Sequence, residues 1–232
     1  MARTLIAIGG GEIKTKTTLK IDEYVATVLK NHASPIRATA LFIGTASHDS
    51  MPYFNSFRKT YTSVFDIKAE VALTVYGEMD AKHISEKIDK ANGFYIGGGD
   101  TLFMLETWKE KGLYDLILNG YNQGKIVAGL SAGAICFFET MFTDYLIMQG
   151  KSADYAIKEG IGVIKGAFCP HYDERREEFI KAVKEKDIPF SYGVENNCAL
   201  VFENEKLVKS VSSGGKAYII KNQNGVILEE EI

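Results

Sequence analysis

The chain has 232 residues, 46% hydrophobic and 25% charged, enough to bury a sizeable core and better suited to one large domain over 1–232 than to two small ones. Its 27 basic and 30 acidic residues give a formal net charge of -3 with no long block of one sign. That balance excludes an electrostatic case for nucleic acid or a membrane surface and favours a small-molecule or peptide partner.

Three widely spaced cysteines, Cys136, Cys169 and Cys198, form no CxxC pair and have no histidine at a metal-ligand spacing. They exclude a disulfide framework and a metal site, and the expectation is a cytoplasmic protein with reduced thiols and no cofactor. The opening "MARTLIAIGGGE" has an apolar run too short for a signal segment or a membrane span.

In chain order, "TLIAI" (Thr4–Ile8) is a predicted strand ending in Gly9-Gly10-Gly11, and Leu19 to Leu29 has helical spacing. "ATALFIG" is the next strand, ending in Thr45-Ala46-Ser47. A charged helix over Ala81 to Ile88 precedes "GFYIGGG", and Leu102 to Trp108 follows as a helix with Asp100 or Thr101 as N-cap. "KIVAGLS" is a strand leading into Ser131, and Ala134 to Phe138 reads as the helix after it. Beyond Gly160, "IGVIKGAFCPHY" reads as strand and loop, and Arg175 to Lys184 as a helix. "ALVFENEKLVKSV" and "AYIIKNQNGVILEE" read as two C-terminal β-hairpins, the second turning at Asn224-Gly225. Apolar strands alternating with helices predict an α/β fold, a mostly parallel sheet with helices on both faces.

Gly129-Leu130-Ser131-Ala132-Gly133 matches G-x-S-x-G, in which a strand turns so sharply into a helix that the serine is pushed outward and only small neighbours fit. A serine needs a general base, most often histidine. Of His32, His48, His83 and His171, the first and third sit in polar helices and read as surface residues. His48 follows a strand, where a substrate contact is expected in such a fold. His171, in Pro170-His171-Tyr172-Asp173, is the one histidine after Ser131 and is the favoured base. For the acid that orients it, Asp173 and Glu174 are explained by helix-dipole complementarity, which leaves Glu195 and Asp144, and spacing does not choose between them. Oxyanion donors are expected from the Ala132 amide and from Gly97-Gly98-Gly99. A dinucleotide loop is disfavoured, because neither glycine triplet completes G-x-G-x-x-G.

"GGGDT" at 97–101, "GLSAGA" at 129–134 and "CPHYDERR" at 169–176 together resemble the peptidase E family of serine peptidases, the aspartyl dipeptidase group related to cyanophycinases. The resemblance runs from the first strand to about Leu200. It implies a class I glutamine-amidotransferase-like three-layer fold and a catalytic triad of Ser131, His171 and Glu195. It also implies oxyanion donors at Gly99 and Ala132, a functionally important acid matched by Asp144, and recognition of an N-terminal aspartate by Arg175 or Arg176. The segment between His171 and these arginines is shorter than the dipeptidase pattern. The expected activity is serine-type hydrolysis of small peptides, including dipeptides with N-terminal Asp. The alternatives are an esterase or amidase on non-peptide substrates and a non-catalytic binding module of the same fold.

Overall fold

A computed structural model describes residues 2–77 and 79–232 of the chain. Two sheets carry the structure. The larger contains β1 (Thr4–Ile8), β2 (Thr39–Ile43), β3 (Lys68–Ala72), β4 (Gly93–Ile96), β5 (Ile126–Leu130), β10 (Cys198–Glu203) and β11 (Lys206–Ser212). Their order is β11-β10-β1-β5-β4-β2-β3. The five strands from β1 to β3 run parallel, and β10 and β11 extend the sheet antiparallel beyond β1. Central strands with both faces covered need continuous apolar runs, and β1 and β5 are buried at every position.

Alternation along these strands sorts side chains between two cores. Ile6, Ile8, Phe42 and Ala128 face a layer built by α1 (Leu19–Ala33) and α2 (Met51–Ser63). Leu5, Ala7, Ile43 and Val127 face the opposite layer, made by α3 (Ala81–Lys90), α4 (Thr101–Glu110), α5 (Leu113–Asn122), α6 (Ala132–Ile135) and the smaller sheet. The fold is therefore the expected layered α/β architecture with helices on both faces. The Asp100 side chain caps α4 by accepting from the Phe103 amide at 3.1 Å.

The smaller sheet departs from the expectation of one sheet. It contains β6 (Phe138–Thr143), β7 (Ala156–Glu159), β8 (Ile164–Pro170), β9 (Phe190–Val194), β12 (Ala217–Gln223) and β13 (Val226–Glu231), ordered β13-β12-β9-β8-β6-β7. The helix expected over Ala134 to Phe138 stops at Ile135, and Phe138 opens a strand rich in aromatic and β-branched residues, which suit a pleated surface. Between β6 and β7 lies the single turn α7 (Tyr145–Met148), and α8 (Tyr172–Glu185) covers the sheet's outer face through Tyr172, Phe179 and Val183.

Both C-terminal hairpins form, each through a two-residue turn with both residues at positive φ, Asn204-Glu205 and Asn224-Gly225, the type I′ pattern. They serve different sheets, the first extending the large one and the second the small one. Among the described residues, no helix is long and apolar enough to cross a membrane.

Candidate active site

Ser131 follows β5 with φ 49° and ψ -108°, a backbone conformation rare for an L residue and a form of stored strain. The two glycines around it are required by contact. A Cβ on Gly129 would strike the Gly133 carbonyl, and one on Gly133 would strike the Ile96 carbonyl, so α6 lies directly on the ends of β4 and β5.

His171 ends β8 in a left-handed conformation, φ 50° and ψ 43°, at the start of α8. Its Nε2 lies 2.9 Å from Ser131 Oγ. Its Nδ1 lies 2.7 Å from Asn196 Oδ1. The structure brings Ser131 and His171 together but does not place Glu195 on the imidazole. Glu195 keeps register with β12, its amide donating to the Lys216 carbonyl at 3.0 Å, and its carboxylate accepts from the Lys216 amide at 2.8 Å and Tyr218 Oη at 3.1 Å. The next side chain, Asn196, turns towards His171 instead. Asp144 is also not on the imidazole, because Arg175 Nη2 donates to it at 2.8 Å.

Three amides of the site hang from the end of β1. Ser131 N–H donates to the Ile8 carbonyl at 2.9 Å, His171 N–H to Gly9 at 3.0 Å and Asn197 N–H to Gly10 at 3.0 Å. Ile8, Gly9 and Gly10 thus hold Ser131, His171 and Asn197 in one frame. A Cβ on Gly10 would collide with Asn196 Oδ1 and His171 Nδ1. Sequence reading set this triplet aside once the dinucleotide motif failed, and it missed Asn196. The available signal was the polar pair Asn196-Asn197 at a strand end, one position beyond the acid selected.

Burial pushes the His171 pKa down from its ordinary value, and the Arg175 cation pushes the same way, against the Asn196 hydrogen bond and the charges of Glu174 and Asp144. Both effects favour the neutral imidazole over imidazolium. The three cysteines are buried and free, and burial raises the Cys136, Cys169 and Cys198 thiols away from the reactive thiolate.

Ser131 and His171 open into a cleft of about 490 Å³ whose wall includes Tyr53, Gly99, Asp144 and Met148. Gly99, at φ 138°, lies so close to Ala46 that a Cβ there would strike its carbonyl. Among the described residues, the amides of Gly99 and Ala132 donate to no protein acceptor. His48 packs its ring 4.1 Å from that of Phe103, in a side groove that meets the cleft at Gly99 and Met148.

Arg175 is buried, with its guanidinium 5.1 Å over the Tyr155 ring and with Nε and Nη1 unpartnered among the described residues. Arg176 pairs with Glu229 at 2.6 Å in a separate groove that includes neither Ser131 nor His171. The structure thus places Asp144 in the cleft, Arg175 behind it and Arg176 away from it. Among the described residues, no three His, Cys, Asp or Glu side chains gather as a metal ion would require.

A serine on a strained turn, within hydrogen-bond reach of a buried histidine at a cleft, is an arrangement of the kind hydrolases use. The sequence matches peptidase family S51 over residues 5–210, and the chain belongs to that family. It is similar to the uncharacterized peptidase YgaJ of Bacillus subtilis (strain 168), 32% identical over 222 residues that cover 93% of this chain and 91% of that one. The uncharacterized peptidase Lin0382 of Listeria innocua is 24% identical over 185 residues, covering 76% of this chain and 86% of its own. The crystal structure of a peptidase from an acI-B1 Actinobacterium shares the fold, with a TM-score of 0.69 at 17% identity, covering 100% of this chain and 97% of that one.

Proposed function

We propose that the protein is a serine-type peptidase of short peptides, dipeptides included, with Ser131 as nucleophile, His171 as general base and Asn196 as the group that holds the imidazole. The observation that carries this reading is the 2.9 Å approach of His171 Nε2 to Ser131 Oγ on the strained turn. His171 takes the Ser131 proton as Oγ bonds to the scissile carbonyl carbon, and the amides of Gly99 and Ala132 receive the oxyanion. The C–N bond then breaks and the leaving amine takes the proton from His171. Water next gives a proton to His171 and its oxygen to the acyl carbon. The ester C–O bond breaks and Ser131 regains its hydrogen.

The cleft has the volume of a small-ligand site, which suits a dipeptide or little more. Asp144 on its wall suits a peptide's free ammonium group. Recognition of an N-terminal aspartate has less support, since Arg175 is already paired with Asp144 and Arg176 with Glu229. Three free, buried thiols fit a reducing cytoplasm. Ser131→Ala, checked for native circular dichroism, is expected to abolish hydrolysis across a panel of Asp-X, Glu-X and neutral dipeptides. Retained turnover would overturn the reading, and faster cleavage of simple esters than of any dipeptide would favour an esterase.

A further inference from the structure

We propose that Asp173 and Glu174 are positioning residues for His171: acting through the side-chain amide of Asn196, they fix which imidazole nitrogen carries the proton. This rests on the serine-peptidase reading above and adds to it how the base is held ready.

The argument starts from what an amide can do. A carboxylate beside a histidine only accepts, so it compels the facing nitrogen to carry a hydrogen. An asparagine has an accepting end and a donating end, and if it turns over it presents N–H to the same nitrogen. With Oδ1 facing His171 Nδ1, the hydrogen sits on Nδ1 and Nε2 keeps its lone pair for the Ser131 proton. With Nδ2 facing Nδ1, the hydrogen moves to Nε2 and the base is disabled. An asparagine in this place needs something else to choose its orientation.

The start of α8 makes that choice. Asn196 Nδ2 donates to Glu174 Oε1 at 2.6 Å and lies 3.0 and 3.2 Å from the two oxygens of Asp173. Its two hydrogens thus meet two acceptor-only groups, while Oδ1 lies 2.7 Å from Nδ1. Reversing the amide would turn its oxygen onto two carboxylates and lose both bonds. The Asn196 backbone is held in the same clamp, its N–H donating to Asp173 Oδ1 at 2.9 Å.

Acidic residues in the first turn of a helix are commonly explained by the helix dipole, but the dipole does not call for contact with a side chain beyond β9. Both carboxylates are exposed, so solvent screens their charge, and the pull of Glu174 on the His171 pKa is smaller than the effects of burial and Arg175. Orientation, which screening does not weaken, is therefore the larger effect.

The test combines kinetics with 15N NMR of histidine-labelled protein, His171 being assigned by its substitution. Wild-type protein above pH 7 is expected to show hydrogen on Nδ1 and a bare Nε2. Asp173→Asn with Glu174→Gln is expected to mix the tautomers and to lower kcat about 10²-fold with KM little changed, the scale of a general-base contribution. Adding Asn196→Asp to that pair reverses the polarity of the cluster, restores an acceptor-only group to Nδ1 and is expected to recover at least about tenfold in kcat. A merely structural role at the helix start predicts no such rescue. The proposal is overturned by a double variant with wild-type kcat and tautomer, or by a folded triple variant that recovers nothing. The wild-type spectrum decides even where the variants fail to fold, since hydrogen on Nε2 contradicts the proposal. Wild-type protein that neither hydrolyses dipeptides nor is labelled at Ser131 by a fluorophosphonate would instead count against the serine-peptidase reading.

Discussion

His171 Nδ1 and Asn196 Oδ1 meet at 2.7 Å across the bare Cα of Gly10. The imidazole therefore meets a neutral amide over a glycine, and the end of the first strand takes part in a site whose serine and histidine come from the second half of the chain. The backbone beneath both side chains is tied to the same strand end, His171 N–H and Asn197 N–H donating to the carbonyls of Gly9 and Gly10.

Gly10→Ala is accordingly predicted to damage catalysis more than folding. The added methyl group must part Nδ1 from Oδ1, leaving Ser131 in place but its base misaligned. We expect kcat to fall by about 10²-fold or more, in line with loss of a positioned base, with KM changed far less. Fluorophosphonate labelling of Ser131 should slow in parallel. Wild-type kcat in this variant would show that the contact is not needed.

Much of this was legible in the sequence because the relevant physics is local. Glycines flanking Ser131, a proline before His171 and Asn224-Gly225 between apolar runs each leave a mark on a few consecutive residues. Glu195 lies off the imidazole for a reason that spacing does not carry. Strand β9 continues its pairing through Glu195, so this side chain goes to Lys216 and Tyr218, and the chain turns inward only at Asn196. The smaller sheet was hidden for a similar reason, since β6 pairs with β8 across an intervening hairpin arm and its partners are remote in sequence. Arg176 shows the limit of motif transfer: one position past Arg175 on a helix, it faces Glu229 and not the cleft.

A second prediction concerns stability and a carboxyl away from the cleft. Asp22 on α1 is fully buried and accepts from Thr18 Oγ1 at 2.8 Å and Tyr61 Oη at 3.0 Å. Burial raises its pKa to about 6, against the smaller opposing effect of those two hydroxyls. A folded value above the unfolded one, near 4, means that the native state holds the proton more tightly. The stability from this group is then complete below about pH 4 and is lost as pH rises through about 6, roughly 3 kcal/mol in all. Asp22→Asn cannot ionise, so urea unfolding at pH 4.5 and pH 7 should show the variant gaining on the wild type by about 2 kcal/mol across that interval. Parallel profiles would show that Asp22 does not titrate there.

The last prediction follows the charges that face His171: Arg175 and Glu174 from α8, and Asp144 from the junction of β6 and α7. Hydrolysis needs the neutral imidazole, so kcat/KM should rise with pH as His171 loses its proton. Burial and the Arg175 cation both disfavour the protonated form, which places the midpoint of that limb below the ordinary histidine value of about 6.5. Arg175→Gln removes the cation and leaves the Asp144 charge uncompensated, and both changes favour imidazolium, so the limb should move to higher pH. Asp144→Asn removes an anion and leaves Arg175 unopposed, so it should move the limb the other way. Profiles of kcat/KM from pH 4.5 to 8 on one dipeptide, taken on folded fractions, measure both shifts. Shifts of opposite sign show that the Arg175–Asp144 pair acts on the His171 pKa through its charges, in addition to burial. Two shifts in the same direction would instead assign the change to altered solvent access at the buried ring, because burial acts on imidazolium regardless of which partner of the pair is removed.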